Sequence, residues 1–164
     1  MTQKNYHEIK ITIADDHETF RIGLRTIFET EKMFKVIDMV SDGKELLSSI
    51  RQNMPDIILM DIQMPKLDGI HATAKIHADF PDLGIIALSF REDEDSIIDM
   101  IDAGANGYLV KSALKTEIFE AIVTVYNGRN YFCSITNSKF INLLKNRNFN
   151  RHQMHSKPAF TERE

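Results

Sequence analysis

The side chains best suited to chemistry in this sequence are five polar residues that follow short apolar stretches. They are Asp15, Asp16, Asp61, Ser89 and Lys111. Three carboxylates held close together repel one another, and each resists ionisation unless a cation lies among them. Mg²⁺ prefers such oxygen ligands, a lysine ammonium suits a phosphoryl oxygen, and a hydroxyl can donate a hydrogen bond to another oxygen. These residue types predict a site for a phosphoryl group and a divalent ion, where an aspartate can act as nucleophile.

Taken singly, the same residues have simpler interpretations. The pair Asp15 and Asp16, and Asp61 likewise, can cap a following helix or turn. Ser89 is typical of a turn, and Lys111 is typical of a solvated surface. The phosphoryl-site prediction therefore depends on their common position at the ends of strands.

Short apolar segments alternate with segments of helical periodicity through the first 128 residues. The strand-like segments are 10–14, 34–40, 57–60, 84–88 and 108–110, and the first helix shows one apolar face at Phe20, Leu24, Ile27 and Phe28. A third helix is predicted at roughly 69–79, before Pro81. This alternation predicts an α/β fold, a doubly wound five-stranded parallel sheet with helices on both faces. The carboxyl ends of parallel strands share one edge, where ligands bind, so the five polar residues should converge there.

Composition sets limits on the class of protein. The chain has 164 residues, of which 43% are hydrophobic, and a formal charge of −4. Residues 145–164 carry five Lys or Arg against two Glu, which leaves a formal −7 on residues 1–144. An acidic body does not suit direct nucleic-acid binding. Without a long apolar run, and with Cys133 as its single cysteine, the chain is expected to be cytoplasmic, with no membrane span.

The residues around the five positions resemble the receiver domain of two-component response regulators. The matching stretches are 13–17 (Ile-Ala-Asp-Asp-His), 60–65 (Met-Asp-Ile-Gln-Met-Pro), 68–69, 88–89 and 103–111, and the similarity covers about residues 9–128. The resemblance implies the flavodoxin-like strand order 2-1-3-4-5, a common order among doubly wound sheets.

The resemblance also implies a role for each site residue. Asp61 would accept a phosphoryl group from a sensor histidine kinase, and Lys111 would pair with that group. Asp15, Asp16, Asp61 and the backbone carbonyl of Gln63 would hold Mg²⁺. Ser89 would move to hydrogen-bond the phosphoryl group, and Tyr108 would change rotamer with it. The implied function is a signalling switch rather than an enzyme, with homodimerisation on activation.

The end of the chain indicates a subfamily. Residues 160–164, Phe-Thr-Glu-Arg-Glu, resemble the opening of a LuxR-type helix-turn-helix domain, as found in LuxR/FixJ (NarL-like) regulators. Residues 129–159 are expected to be a linker with a short helix at about 137–146. On this interpretation the chain stops before its output domain, and it controls transcription by binding DNA only through that domain.

Two departures from the family pattern leave questions open. Phe90 follows Ser89 where receivers usually carry a small residue, so access to Asp61 could be narrowed. Ser112 follows Lys111 where many receivers have a proline in a cis bond, so that geometry cannot be assumed.

Two alternative functions share these residues. A phosphatase could use Asp61 as a transient nucleophile, but Gln63 stands where such an enzyme needs a general acid. An interaction module that is never phosphorylated is also possible if Phe90 closes the site.

Overall fold

The computed structural model describes residues 7–90 and 94–132, and this part of the chain contains six strands and five helices. The strands are β1 (Ile9–Ala14), β2 (Phe34–Val40), β3 (Ile57–Asp61), β4 (Gly84–Ser89), β5 (Gly107–Val110) and β6 (Tyr131–Phe132). The helices are α1 (Glu18–Phe28), α2 (Gly43–Gln52), α3 (Gly69–Asp79), α4 (Glu94–Ala103) and α5 (Lys115–Tyr126).

The strands form one parallel sheet in the order β2-β1-β3-β4-β5-β6. This order confirms the predicted doubly wound α/β fold and its 2-1-3-4-5 arrangement. The additional strand β6, which was not predicted from the sequence, adds two residues beside Gly107 and Tyr108 at the edge of the sheet. Two residues are too few to show a period, and the Tyr131 amide reaches the sheet by donating to the Asn106 carbonyl at 3.0 Å.

The central strand β3 is buried along its whole length. Its four apolar residues, 57–60, have no solvent exposure, because β1 and β4 flank it and helices cover both faces of the sheet. The edge strand β2 is only partly buried. A strand enclosed in this way holds the residue at its carboxyl end, Asp61, in a fixed position.

Side-chain caps fix where two helices begin. Asp42 accepts hydrogen bonds from the amides of Lys44 and Glu45 at the start of α2, and Asp68 accepts one from His71 at the start of α3. Both contacts satisfy amides that the first turn of a helix leaves without partners. These two turns lie on the edge of the sheet where Asp61 emerges.

Several expectations concern residues outside the described part of the chain. The linker beyond β6, its helix at 137–146, Cys133 and the segment 160–164 all lie there, and they stay predictions. Among the described residues every peptide bond is trans, Lys111–Ser112 included. None of the described helices has the length and hydropathy needed to cross a membrane.

Candidate functional site

The carboxylates of Asp15, Asp16 and Asp61 meet at the carboxyl edge of the sheet. One oxygen from each of them and one ring nitrogen of His17 all lie within 4.8 Å of one another. Strand register explains this convergence, because Ala14 on β1 is paired with Met60 on β3, and the aspartates follow these two residues. Asp15 is fully buried and the Asp61 side chain is 7% exposed, whereas Asp16 is open to solvent.

Lys111 places an ammonium group beside two of these carboxylates. Its Nζ lies 2.5 Å from Asp15 Oδ2 and 3.3 Å from Asp61 Oδ2, and its side chain is 1% exposed. The backbone amide of Lys111 donates to the Ser89 carbonyl at 2.8 Å, which ties the end of β5 to the end of β4. A buried ammonium is stable only with such partners, so the lysine and the acids form one electrostatic unit.

A cavity of about 390 Å³ opens over Asp61. Asp16, Gln63, Ser89 and Phe90 are among the residues that line it. Tyr108 lies deeper, 1% exposed on β5. The structure therefore places Ser89 in the same cavity as Asp61, and it places Tyr108 in the core beside the end of β4.

Gly69 allows the chain after Asp61 to turn tightly. The Gly69 amide donates to the Ile62 carbonyl at 2.8 Å. A Cβ atom at Gly69 would lie 2.1 Å from the Asp61 carbonyl oxygen, far inside van der Waals contact. The Gln63 amide in turn approaches Asp61 Oδ1 at 3.4 Å. Glycine at position 69 is thus required for the backbone that carries both Asp61 and Gln63.

Residues of α2 and its N-cap also hold the loop that joins β3 to α3. Lys66 Nζ lies 2.9 Å from Oδ2 of the buried Asp42, and the Gly43 amide donates to the Leu67 carbonyl at 3.1 Å. Lys66 has a positive φ of 64°, which is uncommon for a residue other than glycine. The hydrogen bonds from the α2 amides and the Lys66 ammonium lower the pKa of Asp42, so this carboxylate stays charged and keeps its partner.

The electrostatics of the site favour a bound cation. Burial and the negative charge of Asp15 raise the pKa of Asp61 and Lys111 lowers it, and the net result is a pKa of about 6. Asp61 is therefore mostly ionised at pH 7, but its charge is unfavourable. A hard divalent ion suits a set of clustered carboxylate oxygens of this kind. Asp15, Asp16 and Asp61 could therefore hold a metal ion, and Gln63, whose carbonyl is the remaining expected ligand, lines the cavity over Asp61.

The structure adds contacts that the sequence analysis missed. His17 Nδ1 lies 2.9 Å from Asp16 Oδ1, and Arg21 Nη1 donates to the Asp15 backbone carbonyl at 2.5 Å. The ring of Phe20, which the sequence analysis assigned to the apolar face of the first helix, lies beside the Lys111 ammonium. A signal was present, because α1 begins two residues after Asp16 and its first turn must face the site.

Comparison with known proteins points to one family. The profile of the response regulator receiver domain matches residues 11–123. Over 129 residues the chain is 36% identical to the transcriptional regulatory protein DegU of Brevibacillus brevis, covering 79% of this chain and 55% of DegU. Over 124 residues it is 37% identical to the oxygen regulatory protein NreC of Staphylococcus carnosus, covering 75% of this chain and 57% of NreC. The chain thus spans little more than half the length of these two relatives.

A solved structure gives the same result. The fold is similar to that of a LuxR-family two-component response regulator from Aurantimonas sp. SI85-9A1, with a TM-score of 0.78 and 27% sequence identity. The superposition covers 82% of this chain and 96% of the other.

Proposed function

Because this chain belongs to the response regulator receiver domain family, a family of signalling domains, we propose that it is a phosphorylation switch whose acceptor is Asp61. The phosphoryl donor is the phosphohistidine of a sensor histidine kinase. One observation carries the proposal: the buried carboxylate of Asp61 faces an open cavity, with an ammonium at 3.3 Å and the carboxylates of Asp15 and Asp16 beside it.

The transfer needs an ionised nucleophile and a neutralised phosphoryl group. An Asp61 oxygen attacks phosphorus, the phosphorus–nitrogen bond breaks, and its electron pair stays on the leaving imidazole, which takes a proton from water. With a pKa of about 6, most Asp61 side chains are ionised at pH 7. Positioning and charge neutralisation account for most of the catalysis in such transfers.

The surrounding residues have separate tasks. Lys111 would move its ammonium the short distance from Asp61 to a phosphoryl oxygen, and Ser89 can donate its hydroxyl to another. Bound Mg²⁺ would supply further charge neutralisation of the phosphoryl oxygens. Tyr108, which is buried on β5 and paired with Ala87 on β4, would report the change to the surface of β5 and α4.

The output would be transcriptional. We propose that phosphorylation favours a homodimer and that DNA is bound through a C-terminal domain, in a cytoplasmic protein. The relative DegU, a transcriptional regulatory protein, and the LuxR-family structural neighbour support this proposal.

Phosphate-affinity gels test the acceptor. The chain would be incubated with Mg²⁺ and either a phosphorylated histidine kinase or acetyl phosphate. We expect a band shift that hydroxylamine reverses, since acyl phosphates are cleaved by it. The Asp61→Asn variant should show no shift, whereas Asp79→Asn, a matched change at a solvent-exposed aspartate in α3, should behave as wild type.

Two results would contradict the proposal. A shift that persists in Asp61→Asn would assign the acceptor elsewhere, and steady hydrolysis of a phosphomonoester would favour the phosphatase alternative. Light scattering with and without beryllofluoride, a phosphoryl mimic, tests the dimer separately.

A further inference from the structure

The Lys111 ammonium lies over two phenyl rings. Its Nζ is 4.8 Å from the centre of the Phe20 ring and 4.6 Å from the centre of the Phe90 ring. Phe20 belongs to α1 and Phe90 follows β4, so two different elements each bring one ring to the buried lysine. Both distances are within the range of an attractive cation–π contact.

Ordinary packing does not explain the position of Phe90. Its side chain is 71% exposed, the largest exposure of any large hydrophobic residue in the described part of the chain. Phe90 is part of the wall of the cavity above Asp61, and also of a separate apolar cavity of about 430 Å³ that contains Leu24 and Ile118. Its other ring contact is with the edge of His17, at 5.9 Å between centroids. Phe90 shares two features with Phe20, which are the wall of this apolar cavity and the Lys111 ammonium.

The rings matter because the two carboxylates do not hold the ammonium equally. Lys111 Nζ lies 2.5 Å from Asp15 Oδ2 but 3.3 Å from Asp61 Oδ2. The phosphoryl group would be added on the Asp61 side. An ammonium that must bind the phosphoryl group on that side needs a partner that attracts it without taking up its hydrogen bonds. The face of a phenyl ring is such a partner.

We propose that Phe90, acting with Phe20, is a positioning residue that holds the Lys111 ammonium over the acidic site. This inference rests on the proposed function of Asp61 as phosphoryl acceptor. Removal of one ring face should reduce about fivefold the population of chains in which the Lys111 ammonium lies over the acidic site. Phosphoryl transfer to Asp61 should slow by about the same factor.

A direct test observes Lys111 by NMR in the full chain, without phosphorylation. The ε-methylene and ammonium signals of Lys111, assigned by their loss in Lys111→Met, should be shifted upfield by the two ring faces. In Phe90→Leu they should move toward the values of an ordinary lysine. Phe90→Tyr keeps the ring and should keep the shift. Phe80→Leu, a matched loss of a ring at the opposite edge of the sheet, should leave the Lys111 signals unchanged.

The second readout is the rate of phosphoryl transfer from a phosphorylated histidine kinase with Mg²⁺. We expect Phe90→Leu to be about fivefold slower than wild type, with Phe90→Tyr and Phe80→Leu at the wild-type rate. Because Phe90 is mostly exposed, Phe90→Leu and Phe90→Tyr should keep the wild-type melting temperature, which excludes a folding defect.

The outcomes separate the two proposals. If Lys111 signals and rate are unchanged in Phe90→Leu, or if this variant is faster, Phe90 does not position Lys111 and the inference fails. A faster Phe90→Leu would instead identify Phe90 as an obstacle to the donor. If wild type itself is never phosphorylated, the proposed function fails, and the Lys111 signals alone decide whether Phe90 holds the ammonium.

Discussion

Removing the charge of Asp61 should stabilise the fold. Asp61 is buried beside Asp15, and these two causes raise its pKa from 3.8 to about 6. Between these values the native state binds a proton that the unfolded chain releases. Native stability therefore falls as the pH rises from about 4 to about 6, and the full cost of the charge is present above pH 6. Asparagine has nearly the same shape and carries no charge, so Asp61→Asn avoids this cost.

The size of the effect follows from the pKa. Each unit of pKa difference corresponds to about 1.4 kcal/mol, so the shift of roughly two units costs up to about 3 kcal/mol at neutral pH. The side chain is only 7% exposed, so solvent screening reduces this value little. For a domain of this size, a gain of 2–3 kcal/mol should raise the melting temperature by roughly 6–12 °C.

Urea denaturation at several pH values, with EDTA present, measures the difference between the two proteins. We expect Asp61→Asn to gain little at pH 4.5 and to gain most at pH 7.5. Mg²⁺ should narrow the gap, because it stabilises the wild type more. The control Asp79→Asn alters an exposed carboxylate and should stay within about 0.5 kcal/mol of wild type. If Asp61→Asn is no more stable than wild type at pH 7.5, or if its advantage does not change with pH, the electrostatic reasoning is refuted.

Substitutions at three further positions test the local structure by urea denaturation. Gly69→Ala should lose roughly 2–3 kcal/mol or more, because its Cβ meets the Asp61 carbonyl at 2.1 Å; wild-type stability would refute this close approach. Gly23→Ala, in the exposed face of α1 with no atom within 4 Å of the new Cβ, should instead gain about 0.5–1 kcal/mol. Asp42→Ala should lose about 1–2 kcal/mol with its helix cap, and Asp42→Asn should lose less, since asparagine also caps; equal losses would show that the Lys66 ion pair matters more.

The sheet could be predicted because its signals are local. The run at 57–60 is apolar, rich in isoleucine and bounded by Pro55 and Asp61, so it could be identified as a buried strand without knowledge of its neighbours. The predicted ranges of β2 and α3 agree with the structure, because turn residues such as Gly43 and Pro81 mark their limits. The convergence of Asp15, Asp61 and Lys111 then follows from parallel strands alone.

The contacts between elements could not be predicted in the same way. Phe20 and Phe90 are 70 positions apart, and their common approach to Lys111 depends on where the first turn of α1 lies relative to the end of β4. Helical periodicity correctly assigned Phe20 to the apolar face, since Phe20 packs against the hydrophobic core, but it does not show that the Phe20 ring also reaches Lys111. The ion pair of Lys66 with Asp42 could not be predicted for the same reason, since it depends on how two loops meet.

Under the proposed function, the unfavourable charge of Asp61 would explain how a single modification there acts as a switch. The cost of up to about 3 kcal/mol is present in the unmodified site, and the rigid burial of β1 and β3 keeps the carboxylates from moving apart. Coupling free energies between sites in proteins are typically 1–3 kcal/mol, so a change in charge at Asp61 is large enough to shift a two-state equilibrium by about a hundredfold. The hydrogen bond from Lys111 to Ser89 joins the two strand ends nearest to that change. We therefore expect the response to phosphorylation to begin at β4 and β5, while β1 and β3 keep their positions.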